Sequence, residues 1–283
     1  LSEIKEGAYG EKIKYTKADE VGKLASTFNI MSVTIKEKEE QAKKTEIAKD
    51  EFLAMITHEL KTPLVPIQGY ADILLSEHLG KLTDKQKERI SIIKSSSETL
   101  LALISDLLDA QKLELGQLKI RKENVNIKDT VTNALKLFLP QAQKNKIELI
   151  SNIQDLSIEH DPERIKQVIT NLIKNSLTAV EPEKGKIEIS MKDLPQEIQI
   201  SVKDNGMGIP IDKQSNLFKK FYQVDATLTR ERGGSGLGLS ICKGILENHG
   251  GTITVKSIPK QETTFTFTLP KKAGSGKSPI GLA

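Results

Sequence analysis

The chain of 283 residues has one cysteine and no tryptophan, and only 4% of its residues are aromatic. A single thiol, Cys242, excludes an internal disulfide framework and any multi-cysteine metal site. Its neighbours Ile241, Ile245 and Leu246 mark it as a buried structural thiol. No apolar run reaches the roughly 18 residues needed to span a bilayer, and no stretch has the pattern of a signal peptide. Neither sign of charge dominates: 42 Lys+Arg face 38 Asp+Glu, which gives no electrostatic case for nucleic acid as a partner. What is there is ordinary globular material, 37% hydrophobic and 28% charged, with room for two domains and a helical lead-in. The first residue is Leu1, not Met, so the chain reads as a piece of something longer, with a membrane segment expected upstream.

Leu24, Phe28, Met31 and Ile35 step by four, three and four, which is a helical seam. Residues 36–49 are almost wholly polar, as in a connecting helix or coiled coil. Apolar periodicity returns at Phe52, Met55, Ile56, Leu60, Leu64, Ile67, Tyr70 and Leu74, then fades at His78-Leu79-Gly80. Thr83 or Asp84 caps a second helix, whose stripe runs through Ile90, Ile93, Ser97, Leu100, Ile104, Leu107 and Gln111. Two such helices make a hairpin. Each stripe is too broad for one partner, so two hairpins pairing as a four-helix bundle, in a homodimer, is the natural way to bury them.

Beyond Gly116 the character changes. The pattern predicts a helix over 130–143, a strand over 147–153, and a helix opened by Asp161-Pro162. An antiparallel pair follows over 187–191 and 198–202, turning at Leu194-Pro195-Gln196. A helix over 236–249 and strands over 252–257 and 263–269 complete an α/β sandwich with helices on one face. The expected fold is thus multidomain, α and α+β: a dimeric four-helix-bundle hairpin followed by the sandwich. The Gly/Ser/Lys-rich tail, 271–283, reads as disordered.

Four short segments carry chemistry. His58, in Thr57-His58-Glu59-Leu60-Lys61-Thr62-Pro63, falls between seam positions and should face solvent. A neutral imidazole is a good nucleophile; Glu59 could orient it, and Thr62, one turn on, could position a water. Pro63 and Pro66 should kink or loosen the helix. Asn171 and Asn175 share a helix face, and amide oxygens suit Mg²⁺ that is shared with phosphates. In Asp204-Asn205-Gly206-Met207-Gly208 the glycines admit a flat ligand, and Asp204 can accept from an adenine amino group. Gly233-Gly234-Ser235-Gly236-Leu237-Gly238 opens a helix as a phosphate cradle, with Arg230 and Arg232 ahead of it. Each alone also has a plain reading: a surface histidine, capping asparagines, a common turn. His78, His160 and His249 look structural. The tail run Gly274-Ser275-Gly276-Lys277-Ser278 is not a P-loop, because Lys271 stands where the first glycine belongs.

In their order and spacing, these segments resemble the histidine protein kinase family over about residues 46–270. His58 to Leu64 resembles its H-box, Asn171 to Asn175 its N-box, Asp204 to Pro210 and Gly234 to Leu239 its glycine boxes, and Leu217 to Phe221 its F-box. The resemblance implies a dimerisation and phosphotransfer hairpin (50–116) followed by a GHKL-type ATP-binding domain (117–270). It also implies a HAMP-like relay remnant (1–35) and a connecting helix (36–49). It makes His58 the phosphorylated residue, Asn175 the Mg²⁺ ligand, Asn171 a phosphate-side residue and Asp204 the adenine reader. Gly206, Gly208, Arg232, Gly234, Gly236, Leu237 and Gly238 then belong to the ATP site, with 211–233 as its lid. His58, Glu59 and Thr62 further resemble the signature for dephosphorylating a partner response regulator, which receives the phosphoryl group. Ser176-Leu177-Thr178 departs from the usual continuation of the N-box, and the contact at Thr263 or Thr264 stays open. A GHKL ATPase doing conformational work, or a scaffold without catalysis, is the rival reading; the first has no use for the His58 motif, the second none for a complete Asn, Asp and Gly set.

Overall fold

The computed structural model describes residues 13–15, 17, 19–224 and 235–271. The chain divides into two compact units, Leu1–Pro66 and Ile67–Ala283. Helix α1 (Glu20–Leu75) supplies most of the first. Asp19 accepts hydrogen bonds from the Gly22 N–H (2.9 Å) and the Tyr15 hydroxyl (2.8 Å), satisfying one of the donors that a helix start leaves unpaired. Asn29 clasps the backbone of Ile13, accepting from its N–H and donating to its carbonyl. Pro63 and Pro66 lie inside the helix, which is assigned without a break past both. The missing prolyl N–H groups remove hydrogen bonds there without ending it.

In the second unit, α2 (Asp84–Glu114) starts with a capping box at Thr83 and Gln86. Thr83 Oγ1 accepts from the Gln86 N–H, and Gln86 Oε1 accepts from the Thr83 N–H at 2.8 Å. The sheet-bearing part runs β1 (Glu123–Asn126), α3 (Ile127–Lys136), α4 (Leu139–Lys144), β2 (Glu148–Asn152), β3 (Ser157–His160), α5 (Pro162–Ala179), β4 (Lys186–Asp193), β5 (Glu197–Asp204), α6 (Ile211–Gln214), α7 (Gly238–His249), β6 (Ile253–Ile258) and β7 (Glu262–Pro270). The main sheet has the order β2-β4-β5-β7-β6, and β1 pairs with β3 in a small second sheet.

Alternation puts Ile187, Ile189, Met191, Ile198, Ile200, Val202, Phe265 and Phe267 on one buried face. Helix α5, with Ile165, Ile169, Leu172 and Ile173, and α7, with Ile241, Ile245 and Leu246, cover it. Each of these side chains contributes roughly 1.5–3 kcal/mol on burial, so this layer is what holds the unit together.

Three expectations change. The helix expected over 130–143 is two helices, because Pro140 has no N–H to give back to Lys136 and enters in the first turn of α4. Beside the expected antiparallel pair, the sheet holds a parallel one that the sequence pattern does not announce: β2 and β4 run parallel, since β3 and α5 lie between them and allow a crossover. Strands β1 and β3 are four residues each, too short for alternation to announce them. The disordered-tail expectation from 272 onward lies outside the described residues, as do Gly7 and Gly10.

Two buried histidines tie the layers together. The Nδ1 atom of His249 faces the Ile245 carbonyl at 2.8 Å and its Nε2 accepts from the Asp161 N–H at 3.1 Å. His160 Nδ1 faces the Ile158 carbonyl and its Nε2 meets Thr130 Oγ1 at 2.9 Å. A carbonyl can only accept, so both rings carry a proton on Nδ1. The His249 Nε2 accepts from an N–H and carries none, so that ring is neutral, and burial favours the neutral form of His160.

Candidate nucleotide site

A cavity of about 290 Å³ opens between α5, the start of α7, the β5 and β7 ends and α2. It gathers Asn171, Asn175, Asp204, Gly208, Gly236 and Gly238 in one wall system. Asn171 and Asn175 reach it together because they are one turn apart on α5. Asn171 also donates to Cys242 Sγ at 3.8 Å. That thiol is buried, and burial pushes its pKa up to about 12, so it is packing material, not a nucleophile.

Asp204 ends β5 and is 2% exposed. Its carboxylate accepts from Ser176 Oγ at 2.8 Å and from the Gly206 N–H at 3.0 Å. Burial holds its pKa above the usual carboxylate range, with those two hydrogen bonds pulling it back. Spare lone pairs on a carboxylate in an apolar wall suit the amino group of a flat heterocycle. Directly across the β5–β7 ladder stands Thr263, which also lines the cavity; Thr264 pairs with Lys203 instead.

The glycines act in different ways. Gly208 (φ +65°) and Gly236 (φ +71°) lie in the left-handed region. A Cβ on Gly208 would overlap the Ile258 carbonyl oxygen, and one on Gly236 would lie 2.8 Å from the Phe221 carbonyl carbon. The positive φ at Gly236 is also why α7 begins at Gly238 and not at 236. Gly206 does not line the cavity; it packs against Ala179, whose carbonyl oxygen would be 2.7 Å from a Cβ there. Leu237 is likewise behind the wall, in the core. Arg230, Arg232, Gly233 and Gly234 lie outside the described residues.

His58 belongs to the first unit. It is exposed on α1, as is Glu59, and Thr62 donates its hydroxyl to the His58 carbonyl at 2.8 Å.

The periodicity argument missed the contribution of α2. Thr99, Leu103 and Asp106 line the cavity, and Ala110 and Leu113 join the core. Leu103, Asp106, Ala110 and Leu113 step by three, four and three, a second stripe readable beside the broader apolar one. Asp109, 6% exposed, accepts from Arg164 Nη1 and Gln167 Nε2, both at 2.8 Å, and so pins α2 to α5.

Comparison with known proteins agrees with this arrangement. The His Kinase A (phospho-acceptor) domain matches residues 48–116, and the histidine kinase-, DNA gyrase B- and HSP90-like ATPase domain matches residues 160–273. The chain belongs to the histidine kinases. Among similar proteins, this kinase is 36% identical to the circadian input-output histidine kinase CikA of Synechococcus elongatus over 80% of its own length and 30% of that protein's. It is 33% identical to the signal transduction histidine-protein kinase BarA of Escherichia coli over 93% of its length and 29% of BarA. The chain thus spans about 30% of the length of these relatives. Full-length ShkA in complex with AMPPNP superposes with a TM-score of 0.64 at 26% identity, covering 79% of this chain and 47% of ShkA. ThkA in complex with the response regulator TrrA gives 0.54 at 26% identity, over 85% and 67%.

Proposed function

We propose that this chain is the catalytic core of a sensor kinase that phosphorylates its own His58 from ATP and passes the phosphoryl group to an aspartate of a separate response regulator. The observation that carries the proposal is the cavity that joins Asn171, Asn175, Asp204, Gly208, Gly236 and Gly238 from three separate stretches of sequence. Adenine is read by Asp204, with Thr263 beside it. The phosphates lie toward the start of α7, where free N–H groups and the helix dipole favour anions. The resemblance assigns Arg232 and Gly234 to the ATP site as well.

The donor set fits Mg²⁺: two neutral amide oxygens on one face, suited to a cation that keeps most of its other ligands from water and phosphate. Among the described residues no cluster of His, Cys, Asp and Glu offers a dedicated metal cage. Bound there, Mg²⁺ would neutralise phosphate charge during transfer. Asn175 is the ligand and Asn171 its phosphate-side neighbour; the rest of the work is positioning. In the transfer, a ring nitrogen of His58 forms the N–P bond while the bond from the γ-phosphorus to the departing ADP oxygen breaks. Glu59 orients the ring, and Thr62 holds water for removal of the phosphoryl group from the regulator. The AMPPNP complex of ShkA and the regulator complex of ThkA support the ligand class and the partner class.

The working form is a homodimer. Phe52, Met55, Leu60, Ile67, Tyr70, Ile93 and Leu100 are exposed on α1 and α2, more apolar surface than a lone hairpin leaves in water. The chain is organised as a HAMP-like relay remnant (1–35), connecting helix (36–49), hairpin (50–116) and ATP-binding domain (117–270). The HAMP-like remnant points to a membrane-attached sensor; no helix of the described residues is long and apolar enough to cross a membrane.

The test is labelling with γ-phosphate-labelled ATP. The intact chain takes up acid-labile label, and His58→Ala takes up none while binding ATP with unchanged affinity. Label persisting in His58→Ala refutes the assignment.

A further inference from the structure

Asp106 is an acidic side chain in the wall of a cavity built for an anion. It comes from α2, and it shares that wall with groups that phosphate oxygens seek. Ser235 Oγ donates to Asp106 Oδ2 at 3.4 Å, and the same hydroxyl accepts from the Leu237 N–H at 3.2 Å, at the entrance to α7. Lys174, on α5 between the two asparagines, lines the same cavity. The start of α7, a helix of 12 residues, also lines that cavity through Gly238 and Leu239. A hydroxyl, an ammonium and a helix N-terminus are the usual partners of a phosphate.

Helix α2 is seated firmly enough to hold the carboxylate there. Leu113 fills the notch at Gly244, where an added Cβ would lie 2.6 Å from its Cδ1. Asp109 takes hydrogen bonds from Arg164 and Gln167, and Glu114 pairs with Lys220 at 2.9 Å.

We propose that the Asp106 carboxylate is a built-in competitor of the nucleotide's phosphates, so that seating of α2 and binding of ATP oppose each other. The proposal rests on the cavity being the ATP site. A seated Asp106 engages the Ser235 hydroxyl and lies in the field of the Lys174 ammonium, two groups that the phosphate tail requires, and it sets one negative charge against several. Burial already holds its carboxyl above the usual range; the charge of Lys174 and the Ser235 hydroxyl pull it back, while Asp109 pushes it further up. A carboxylate in that position gains by leaving for water once phosphate takes its partners. ATP loading would therefore loosen α2 from the ATP-binding domain, and a firmly seated α2 would lower the apparent affinity for ATP.

The sign of the effect separates this from other roles, because trimming a residue that contacts the ligand weakens binding. Calorimetric titration of the full chain with ATP, ADP and adenosine, each with and without Mg²⁺, decides it. Asp106→Asn, which keeps shape and loses charge, should tighten ATP by about three- to tenfold, the gain expected when the occluded form holds about 70–90% of the molecules. ADP should gain less and adenosine nothing, and Asp106→Glu should stay near wild type. Leu113→Ala, which unseats α2 without altering the cavity, should tighten ATP in the same direction. Unchanged or weaker ATP binding by Asp106→Asn, with the wild type binding normally, overturns the proposal; weakening confined to Mg²⁺-containing titrations would make Asp106 a metal-side residue instead. Failure of the wild-type chain to bind any of the three would overturn both this proposal and the reading of the cavity.

Discussion

Acidification should destabilise the second unit through His160 and His249, and the size of the effect follows from their hydrogen bonds. Each ring is buried with its Nδ1 proton on a carbonyl. The His249 Nε2 accepts from the Asp161 N–H, and the His160 Nε2 meets the Thr130 hydroxyl, which can donate or accept. A second ring proton on His249 would point at an N–H that cannot accept it. Burial lowers the pKa of His160, with the Ile158 carbonyl and Asp161 opposing. Burial also lowers that of His249, with Lys122 and His160 adding to the fall and the Ile245 carbonyl and Asp161 resisting it.

The unfolded chain therefore takes up protons that the folded one refuses, from the free histidine value of about 6.5 down to the lowered folded values. The stability these rings contribute is present above that window and is lost as pH falls through it. One such histidine costs about 1.4 kcal/mol per pH unit inside the window, and two titrating together cost about 2.7. Urea unfolding of the full chain, followed by circular dichroism between pH 7.5 and 5.5, measures that slope. Asp106 and Asp204, whose pKa values are raised by burial, contribute with the opposite sign. They are common to wild type and variant, so the comparison removes them. His249→Asn keeps the donation to Ile245 without a titrating ring and should cut the slope by about half, at the cost of an orphaned Asp161 N–H. A wild-type slope that neither His249→Asn nor His160→Asn reduces would refute the reasoning.

Gly208→Ala should cost at least about 1–3 kcal/mol, from a left-handed backbone and the overlap with Ile258; a melting temperature within a degree of wild type would contradict it. Asp109→Ala leaves the Arg164 guanidinium, 26% exposed, with Gln167 as its remaining partner. The double-mutant cycle of Asp109→Ala with Arg164→Met should show a coupling of about 1–2 kcal/mol, below the 3–5 kcal/mol of a fully buried pair because water still reaches Arg164. Coupling under about 0.3 kcal/mol would mean that α2 is not held there.

Much of this arrangement is legible because it is local. The shared face of Asn171 and Asn175 follows from the helical repeat, and the capping box at Thr83 from the spacing of Gln86 three residues on. The hairpin of β4 and β5 shows in alternating isoleucines on either side of Leu194-Pro195-Gln196. The glycines at 208 and 236 announce left-handed backbone, though only their neighbours Ile258 and Phe221 show why nothing larger fits. Gly206 and Leu237 sit in the same short motifs and yet face away from the cavity, since a motif does not say which way each residue turns.

What only the tertiary structure decided are the contacts between residues far apart in the chain. Asp204 and Thr263 meet through strand register, His249 and Asp161 through the packing of α7 beside α5, and Asp106 and Ser235 through the docking of α2. No local spacing encodes these meetings, because each depends on which of several apolar faces pairs with which, and that choice is made by burial summed over the whole core. The sequence by itself determined a chain with a solvent-facing His58 on a long amphipathic helix and the pieces of a nucleotide site behind it. The structure decided that α2 supplies part of that site's wall, and with it a carboxylate where phosphate should bind.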